Sequence, residues 1–262
     1  MNTENLEFLQ DNLKYLGFGD KLFLNQQLTE KIAGAPKSFE LDTEAFFDEN
    51  HKLEVTMYFR RSDQLDMYFF NKYEATLRSG EDPELARAQT FYINKGSGVT
   101  LKEAFNLLQG RAVNKDLVNM EGQKYNAWIQ LNFGEKDLHN NYKVKQYRVQ
   151  YGYDLEKTLE KYPIRELGDI ELRAALLRSL RKGNLHTVSF DKSTKTEKMF
   201  IEANPQFKTI NIYSTAKVLS ARSGGRSETE WNEEEKEEVA ETKEEDAEIA
   251  GNKQPARRKT HK

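Results

Sequence analysis

Hydrophobic positions at the start of the chain repeat with the spacing of an α-helix. The first segment carries leucines three and four residues apart, at Leu6, Leu9, Leu13 and Leu16. Gly17 follows them and can take the left-handed conformation that commonly ends a helix. A second helix is predicted over residues 21–33, with its apolar side formed by Leu22, Leu28 and Ile32. Both apolar sides need a partner surface, either the rest of this chain or another protein.

Further along, the period changes to two, which is typical of a strand with one covered face. The alternating apolar positions are Leu53, Val55, Met57 and Phe59. Ser62 and Asp63 then predict a turn, and residues 65–77 predict a longer strand that returns antiparallel. Residues 90–94 predict a third strand.

A helix with a capping box is predicted after residue 100. The hydroxyl of Thr100 stands three residues before Glu103, so each side chain can bind the other residue's backbone amide. The apolar face of this helix consists of Leu101, Ala104, Phe105 and Leu108, and Gly110 ends it.

The second half of the chain repeats the arrangement of strands followed by helices. Residues 125–133 and 142–151 predict a hairpin, and the helices that follow are predicted over 154–162 and 169–182. Three more strands are predicted over residues 185–190, 198–203 and 207–213. This order favours an α+β fold of antiparallel hairpins interleaved with short helices, because a parallel doubly wound sheet needs regular strand and helix alternation.

Charge separates the chain into a globular part and a tail. The formal net charge is only −3, yet residues 227–250 alone carry twelve acidic residues and two lysines, a net charge of −10. Trp231 is the only aromatic residue after position 220. We therefore predict an N-terminal helical segment over residues 1–35, an α+β domain over 36–218, and a disordered acidic tail with a basic C-terminus over 219–262.

Several classes of protein do not fit this composition. The longest stretch without a charged residue has ten residues, at 125–134, whereas a membrane-spanning helix needs about 20 mostly apolar ones. The first residues lack the basic and apolar regions of an export signal. The chain has no cysteine, which fits a reducing compartment. We expect a cytoplasmic protein that has no contact with membranes.

Residues suited to catalysis are sparse. The four histidines, His51, His139, His186 and His261, have no metal-binding spacing, and no nucleophile motif occurs. Lys95, Gly96, Ser97 and Gly98 precede a capped helix, which resembles a phosphate-binding loop only weakly. We expect neither a metal site nor a cofactor. An enzyme remains an alternative, since carboxylates for acid–base chemistry are available at Glu103, Asp154 and Glu202.

The hairpin over residues 125–151 offers a candidate nucleic-acid interface. Lys143, Lys145 and Tyr147 share one face of the second strand, and Trp128 lies on the first. Cations interleaved with aromatic rings suit contacts with phosphates and stacking on bases. Arg148 adds a third cation. The alternative is an ordinary amphipathic hairpin, because strand edges commonly carry lysines that prevent edge-to-edge pairing.

The acidic tail also admits two interpretations. Blocks rich in glutamate are usually solvated and disordered. Alternatively, the tail competes with nucleic acid for the basic face, while the five cations after residue 250 contact phosphates without sequence preference.

Four stretches resemble a known family. They are residues 95–113 (KGSGVTLKEAFNLLQGRAV), 125–133 (YNAWIQLNF), 151–157 (YGYDLEK) and 202–213 (EANPQFKTINIY). They look like an uncharacterised domain family, of unknown function, in proteins of Bacteroidetes conjugative and other mobile elements. The resemblance covers roughly residues 91–213 and carries over no site residue. It implies a bacterial cytoplasmic protein that travels with DNA-processing and transfer genes.

These observations together predict a non-catalytic, nucleic-acid-associated accessory protein of a mobile element. Lys143, Lys145 and Arg148 would hold backbone phosphates of DNA or RNA, while Tyr147 and Trp128 would stack on unpaired bases. The alternative is a protein-interaction module in a transfer or regulatory complex. In that case the N-terminal helix, through Leu9 and Leu13, and the acidic tail would bind a protein partner.

Overall fold

Three antiparallel sheets and the helices between them make up the described part of the chain. A computed structural model describes residues 2–19, 21–48, 50–79, 86–93, 98–191 and 195–215. These residues form ten strands and five α-helices, and all of their strand pairings are antiparallel. The predicted α+β class is confirmed. The acidic tail that we predicted to be disordered lies outside the described residues.

The first sheet is a meander of four strands in sequence order. They are β1 (Ser38–Phe46), β2 (His51–Arg61), β3 (Tyr68–Ser79) and β4 (Arg87–Tyr92). The predicted alternation in β2 is confirmed, because its four apolar positions from Leu53 to Phe59 are buried. The sequence did not predict β1, since only Phe39 and Leu41 in it are buried.

Two helices cover one face of this sheet with their leucines. In α1 (Thr3–Tyr15) the side chains of Leu9 and Leu13 are fully buried in one core with residues of the first sheet such as Met57. The partner surface of this helix is therefore the chain itself. The alternative in which Leu9 and Leu13 bind another protein is wrong, because neither side chain reaches the surface.

The second helix, α2 (Leu22–Ala33), buries a different set of residues from the predicted one. Leu24, Leu28 and Ile32 are buried, whereas Leu22 is 73% exposed. The three buried residues are spaced four apart, so they share one face of the helix. Leu22 lies six residues before Leu28, and this spacing places it on a different face. The segment 1–35 thus shares a core with the domain predicted to follow it.

Helix α3 (Leu101–Leu108) lies where the parts of the fold meet. Its capping box is present as predicted: Glu103 N donates to Thr100 Oγ1, and Thr100 N donates to Glu103 Oε2 at 2.8 Å. The backbone amide of Leu101 donates to the carbonyl of Leu16 at the end of α1. Glu103 also forms a 2.9 Å ion pair with Lys115, and both side chains are largely buried.

The second sheet has the order β5 (Val113–Val118), β6 (Lys124–Lys136) and β7 (Tyr142–Arg148). The sequence did not predict β5, whose centre is polar. Two amide side chains join this sheet to the first one. Gln89 Oε1 accepts from Tyr142 N at 2.8 Å, and Asn141 Oδ1 accepts from Thr90 N at 2.8 Å. The strand predicted to reach Tyr151 ends at Arg148, because a 3-10 turn (Val149–Tyr151) follows it.

The third sheet follows two helices that begin at aspartate caps. Asp154 caps α4 (Leu155–Leu159), and Asp169 caps α5 (Ile170–Arg181), each by accepting backbone amides. The sheet contains β8 (His186–Asp191), β9 (Thr196–Asn204) and β10 (Thr209–Ser214), with β9 in the centre. No helix in the described ranges is long and apolar enough to cross a membrane.

Hydrogen bonds from two polar side chains connect the loop after α5 to the region of α3. Asn106 is fully buried and donates to the carbonyl of Lys182 at 2.6 Å. Arg111 donates to the carbonyl of Gly183 at 2.9 Å and to Asn106 Oδ1 at 2.7 Å. Gly183 has a left-handed φ of 76° and packs so closely that a Cβ there would lie 2.8 Å from the carbonyl oxygen of Ala112. Only glycine fits this position without strain.

The close packing at Gly183 can be tested with a matched glycine. Gly122 has a similar φ of 80° but no atom within 4 Å of a would-be Cβ. We expect Gly122→Ala to cost about 1 kcal/mol of unfolding free energy from left-handed strain alone. Gly183→Ala should cost about 1–3 kcal/mol more, because the backbone of Ala112 must move. Urea unfolding followed by circular dichroism measures both, and equal losses would contradict the packing argument.

The buried ion pair can be tested by a double-mutant cycle. Lys115→Met leaves the carboxylate of Glu103 without its cation, and we expect a loss of about 3 kcal/mol of unfolding free energy. Glu103→Gln keeps a side chain that can complete the capping box. The double variant should therefore recover part of the loss caused by Lys115→Met alone. Additive losses in the cycle would mean that the two charges do not interact.

Candidate nucleic-acid interface

Strand β7 forms one edge of the second sheet and is rich in exposed cations. In the sheet order β5-β6-β7, it pairs only with β6. Lys143, Lys145 and Arg148 are three of its seven residues, and all three side chains are exposed. Side chains on both faces of an edge strand border the same open side of the sheet, so the three cations lie along one rim.

The two rings predicted to stack on bases lie inside the protein. Trp128 and Tyr147 are opposite each other across the strand pair and are 6% and 9% exposed. Trp128 packs edge-on against Tyr153 with 5.5 Å between ring centres, and Tyr147 packs against Tyr151 at 5.0 Å. These contacts bury both rings, so neither ring has a free face on which a base could stack.

The two lysines share a face of β7, as the period of two predicted. Lys145 lies opposite Gln130, and Lys143 lies opposite Asn132. Lys143 Nζ forms a 2.9 Å ion pair with Glu135, and this bond lowers the pKa of the Glu135 carboxyl and raises that of Lys143. Both groups are exposed, so the pair holds weakly and can exchange for a phosphate. Within the described residues, Lys145 has no ion pair.

Arg148 lies on the opposite face of β7 from the lysines. It pairs with Ala127, and its guanidinium lies 4.4 Å from the centre of the Tyr125 ring. Tyr125 also donates from its hydroxyl to Gln146 Oε1 at 3.1 Å. The flat guanidinium of this edge strand stacks over the partly exposed ring of Tyr125 on β6.

Two further cations near this region were not predicted. Lys136 Nζ lies 4.8 Å from the centre of the Tyr142 ring and donates to Asn140 Oδ1 at 3.0 Å. Lys208 Nζ lies 4.8 Å from the Tyr151 ring. The end of the predicted hairpin would have indicated Lys136. Lys208 is far away in the sequence, so only the fold could place it beside Tyr151.

The three carboxylates considered for acid–base chemistry have separate partners. Glu103 caps α3 and pairs with Lys115, whereas Asp154 caps α4. Glu202 accepts from Asn211 at 2.9 Å and from the hydroxyl of Tyr213 at 2.8 Å. The structure therefore does not bring these carboxylates together as an acid–base pair.

Two of the three described histidines have local side-chain partners as well. His51 Nδ1 lies 2.7 Å from an oxygen of Asp48, and His186 Nδ1 lies 2.9 Å from the hydroxyl of Ser179. In the part of the chain that the structure describes, no three His, Asp or Glu residues are grouped so that they could hold a metal ion. Lys95, Gly96 and Ser97 of the glycine-rich loop lie outside the described residues. The neighbouring amides of Leu101 and Glu103 already bond within the chain.

Comparison with known proteins finds no relative of this chain. No protein-family model matches this chain, and no curated protein or solved structure is significantly similar to it.

The half-buried His186 predicts a pH dependence of stability. Burial lowers the pKa of His186 below its usual value of 6.5, although Glu166 opposes this effect. The unfolded chain therefore binds the proton more readily, so the contribution of His186 is complete above about pH 6.5 and is lost as the pH falls. We expect His186→Asn to flatten the decline of unfolding free energy below that pH. A slope that His186→Asn leaves unchanged would contradict the assignment.

Proposed function

We propose that this protein is a non-catalytic accessory protein that associates with nucleic acid through the rim of β7. The observation that carries the proposal is the presence of three exposed cations in a seven-residue edge strand, at Lys143, Lys145 and Arg148. Among the described residues, these three cations form only one ion pair, between Lys143 and Glu135.

Binding would occur mainly through the sugar–phosphate backbone. Lysines at alternate positions of a strand lie about 7 Å apart, which is close to the spacing of phosphates along an extended single strand. Such contacts release counter-ions and carry little sequence preference. The surface pair of Arg148 and Tyr125 replaces the buried rings of Trp128 and Tyr147 as the place where an unpaired base would stack.

Sequence context supports the same class of partner. The four stretches that resemble proteins of Bacteroidetes mobile elements include most of β6, which supports β7 from inside. Proteins of such elements work beside DNA in the bacterial cytoplasm, and the lack of cysteine suits that compartment. We propose on this basis that it is a cytoplasmic accessory protein of a mobile element.

A protein-interaction module is the second candidate, now at a different surface from the predicted one. Leu22 and Phe23 of α2 and Phe46 at the end of β1 are 68–73% exposed. Lys21 Nζ donates to the carbonyl of Glu44 at 3.0 Å, which holds the start of α2 beside the end of β1. Exposed apolar side chains that form one contiguous patch commonly mark a contact with another protein.

Charge reversal on β7 tests the nucleic-acid proposal. Fluorescence anisotropy of the full chain with labelled single- and double-stranded DNA and RNA, over a series of salt concentrations, gives the affinity and its salt slope. We expect Lys143→Glu with Lys145→Glu to weaken binding and to reduce the slope by about 1.4 for single strands, because two phosphate contacts are lost.

The matched control has the same change in net charge elsewhere. Lys161, after α4, and Lys198, on β9, are also exposed. Lys161→Glu with Lys198→Glu should keep most of the salt slope. If both double variants lose affinity equally, net charge and not the β7 rim is responsible. If the wild-type chain binds none of the four nucleic acids at low salt, the protein-interaction candidate takes precedence.

A further inference from the structure

The face of the first sheet opposite the helices carries a row of polar and aromatic side chains. The strand register places Glu40 of β1 opposite Tyr58 of β2, Tyr58 opposite Lys72 of β3, and Lys72 opposite Tyr92 of β4. Residues directly opposite each other share a face of the sheet, so these four form one line across all four strands. Each is at least partly exposed.

A hollow of about 510 Å³ is lined by these four residues, and Lys31 of α2 and the buried Phe39 and Phe59 line it as well. This volume falls within the range of about 300–1,000 Å³ that is usual for sites that bind small molecules. Tyr58 and Tyr92 line the hollow, and Tyr92 is 56% exposed. The ammonium of Lys72, which also lines the hollow, lies 4.7 Å from the centre of the Tyr58 ring.

Three cations from three different elements line the hollow. Lys31 comes from the last turn of α2, Arg60 from β2 and Lys72 from β3, whereas Glu40 is the only carboxylate among the described residues of the lining. Arg60 contacts Asp63 at 3.2 Å, but this pair is exposed and is easily exchanged. The lining therefore has a surplus of two positive charges.

The charges beyond the hollow set the direction in which a ligand would lie. The next row of the same face carries Asp42 and Glu74. Burial is the largest cause of the raised pKa of Tyr58, and these two carboxylates raise that pKa further. An anion is repelled from that side and attracted towards Lys31 and Arg60. An aromatic group on the same ligand would then lie along the row, against Tyr92.

We propose that this hollow binds a phosphomonoester joined to an aromatic base. A phosphomonoester carries about −1.5 to −2 charges near neutral pH, which matches the surplus charge of the lining better than a carboxylate does. Lys31, Arg60 and Lys72 hold the phosphate, and Tyr92 stacks on the base. The ligand is either a free mononucleotide or the 5′-phosphorylated end of a strand. This site is separate from the β7 rim and does not rest on nucleic-acid binding there.

Isothermal titration of the full-length protein with adenosine 5′-monophosphate tests the site. We expect the nucleotide to bind about tenfold more tightly than either adenosine or inorganic phosphate, because each of these keeps only one of the two contacts. Lys72→Glu should weaken nucleotide binding about tenfold or more, since repulsion replaces attraction. Tyr92→Ala should reduce the preference of the site for the nucleotide over inorganic phosphate.

Two kinds of variant keep the test decisive. Lys72 is half-buried, so Lys31→Glu provides a second charge reversal at an exposed position, outside the core. It should weaken nucleotide binding about threefold or more. The control Lys161→Glu and the double variant Lys143→Glu with Lys145→Glu should leave the Kd unchanged. The second of these separates failure at this site from failure at the β7 rim.

Competition by short single strands identifies the source of the ligand. A 5′-phosphorylated oligonucleotide that displaces the mononucleotide better than its 5′-hydroxyl counterpart would assign the site to strand ends. Displacement by neither strand, with the mononucleotide still bound, would assign it to free nucleotides. The proposal is overturned if the mononucleotide binds no more tightly than inorganic phosphate. It is also overturned if both Lys72→Glu and Lys31→Glu leave the Kd unchanged.

Discussion

The fold depends on hydrogen-bond and ion-pair partners for the polar groups of α3, a short helix that is buried on almost every side. Seven of the eight residues of α3 are buried, including Glu103 and Asn106. A buried carboxylate or amide is costly without partners. Glu103 finds them in its own capping box and in Lys115 of the second sheet, while Asn106 binds the loop after α5. The polar groups of one helix thereby link parts of the chain that are up to 78 residues apart.

The remaining connections between elements use the same principle. Asn5 bonds to both backbone groups of Tyr68 where β3 begins, and Gln89 does the same for Tyr142 where β7 begins. In each case an amide side chain supplies the donor and the acceptor that a neighbouring strand would otherwise supply. The edge of the first sheet is thereby fastened to the start of β7 in the second sheet.

Both proposed binding surfaces follow from where the helices do not pack. The helices cover one face of the first sheet, so charged and aromatic side chains remain on the other face around Tyr58 and Lys72. Strand β7 ends its sheet, so Lys143, Lys145 and Arg148 border solvent. The surfaces differ in shape. A hollow suits a small ligand, whereas a rim of cations suits an extended polyanion.

Local signals in the sequence determined most of the elements of this protein. The period of two in β2, the capping box of Thr100 and Glu103, and the aspartate caps of α4 and α5 depend only on neighbouring residues, so they were predictable. Tertiary structure alone decided the rest. Strands β1 and β5 are polar and form because a longer strand pairs with them. Trp128 and Tyr147 have the alternation of exposed residues, yet Tyr153 and Tyr151 cover them. The hollow joins Lys31 to Lys72 and Tyr92, which no sequence spacing connects, because burial and proximity across strands arise only when distant segments pack together.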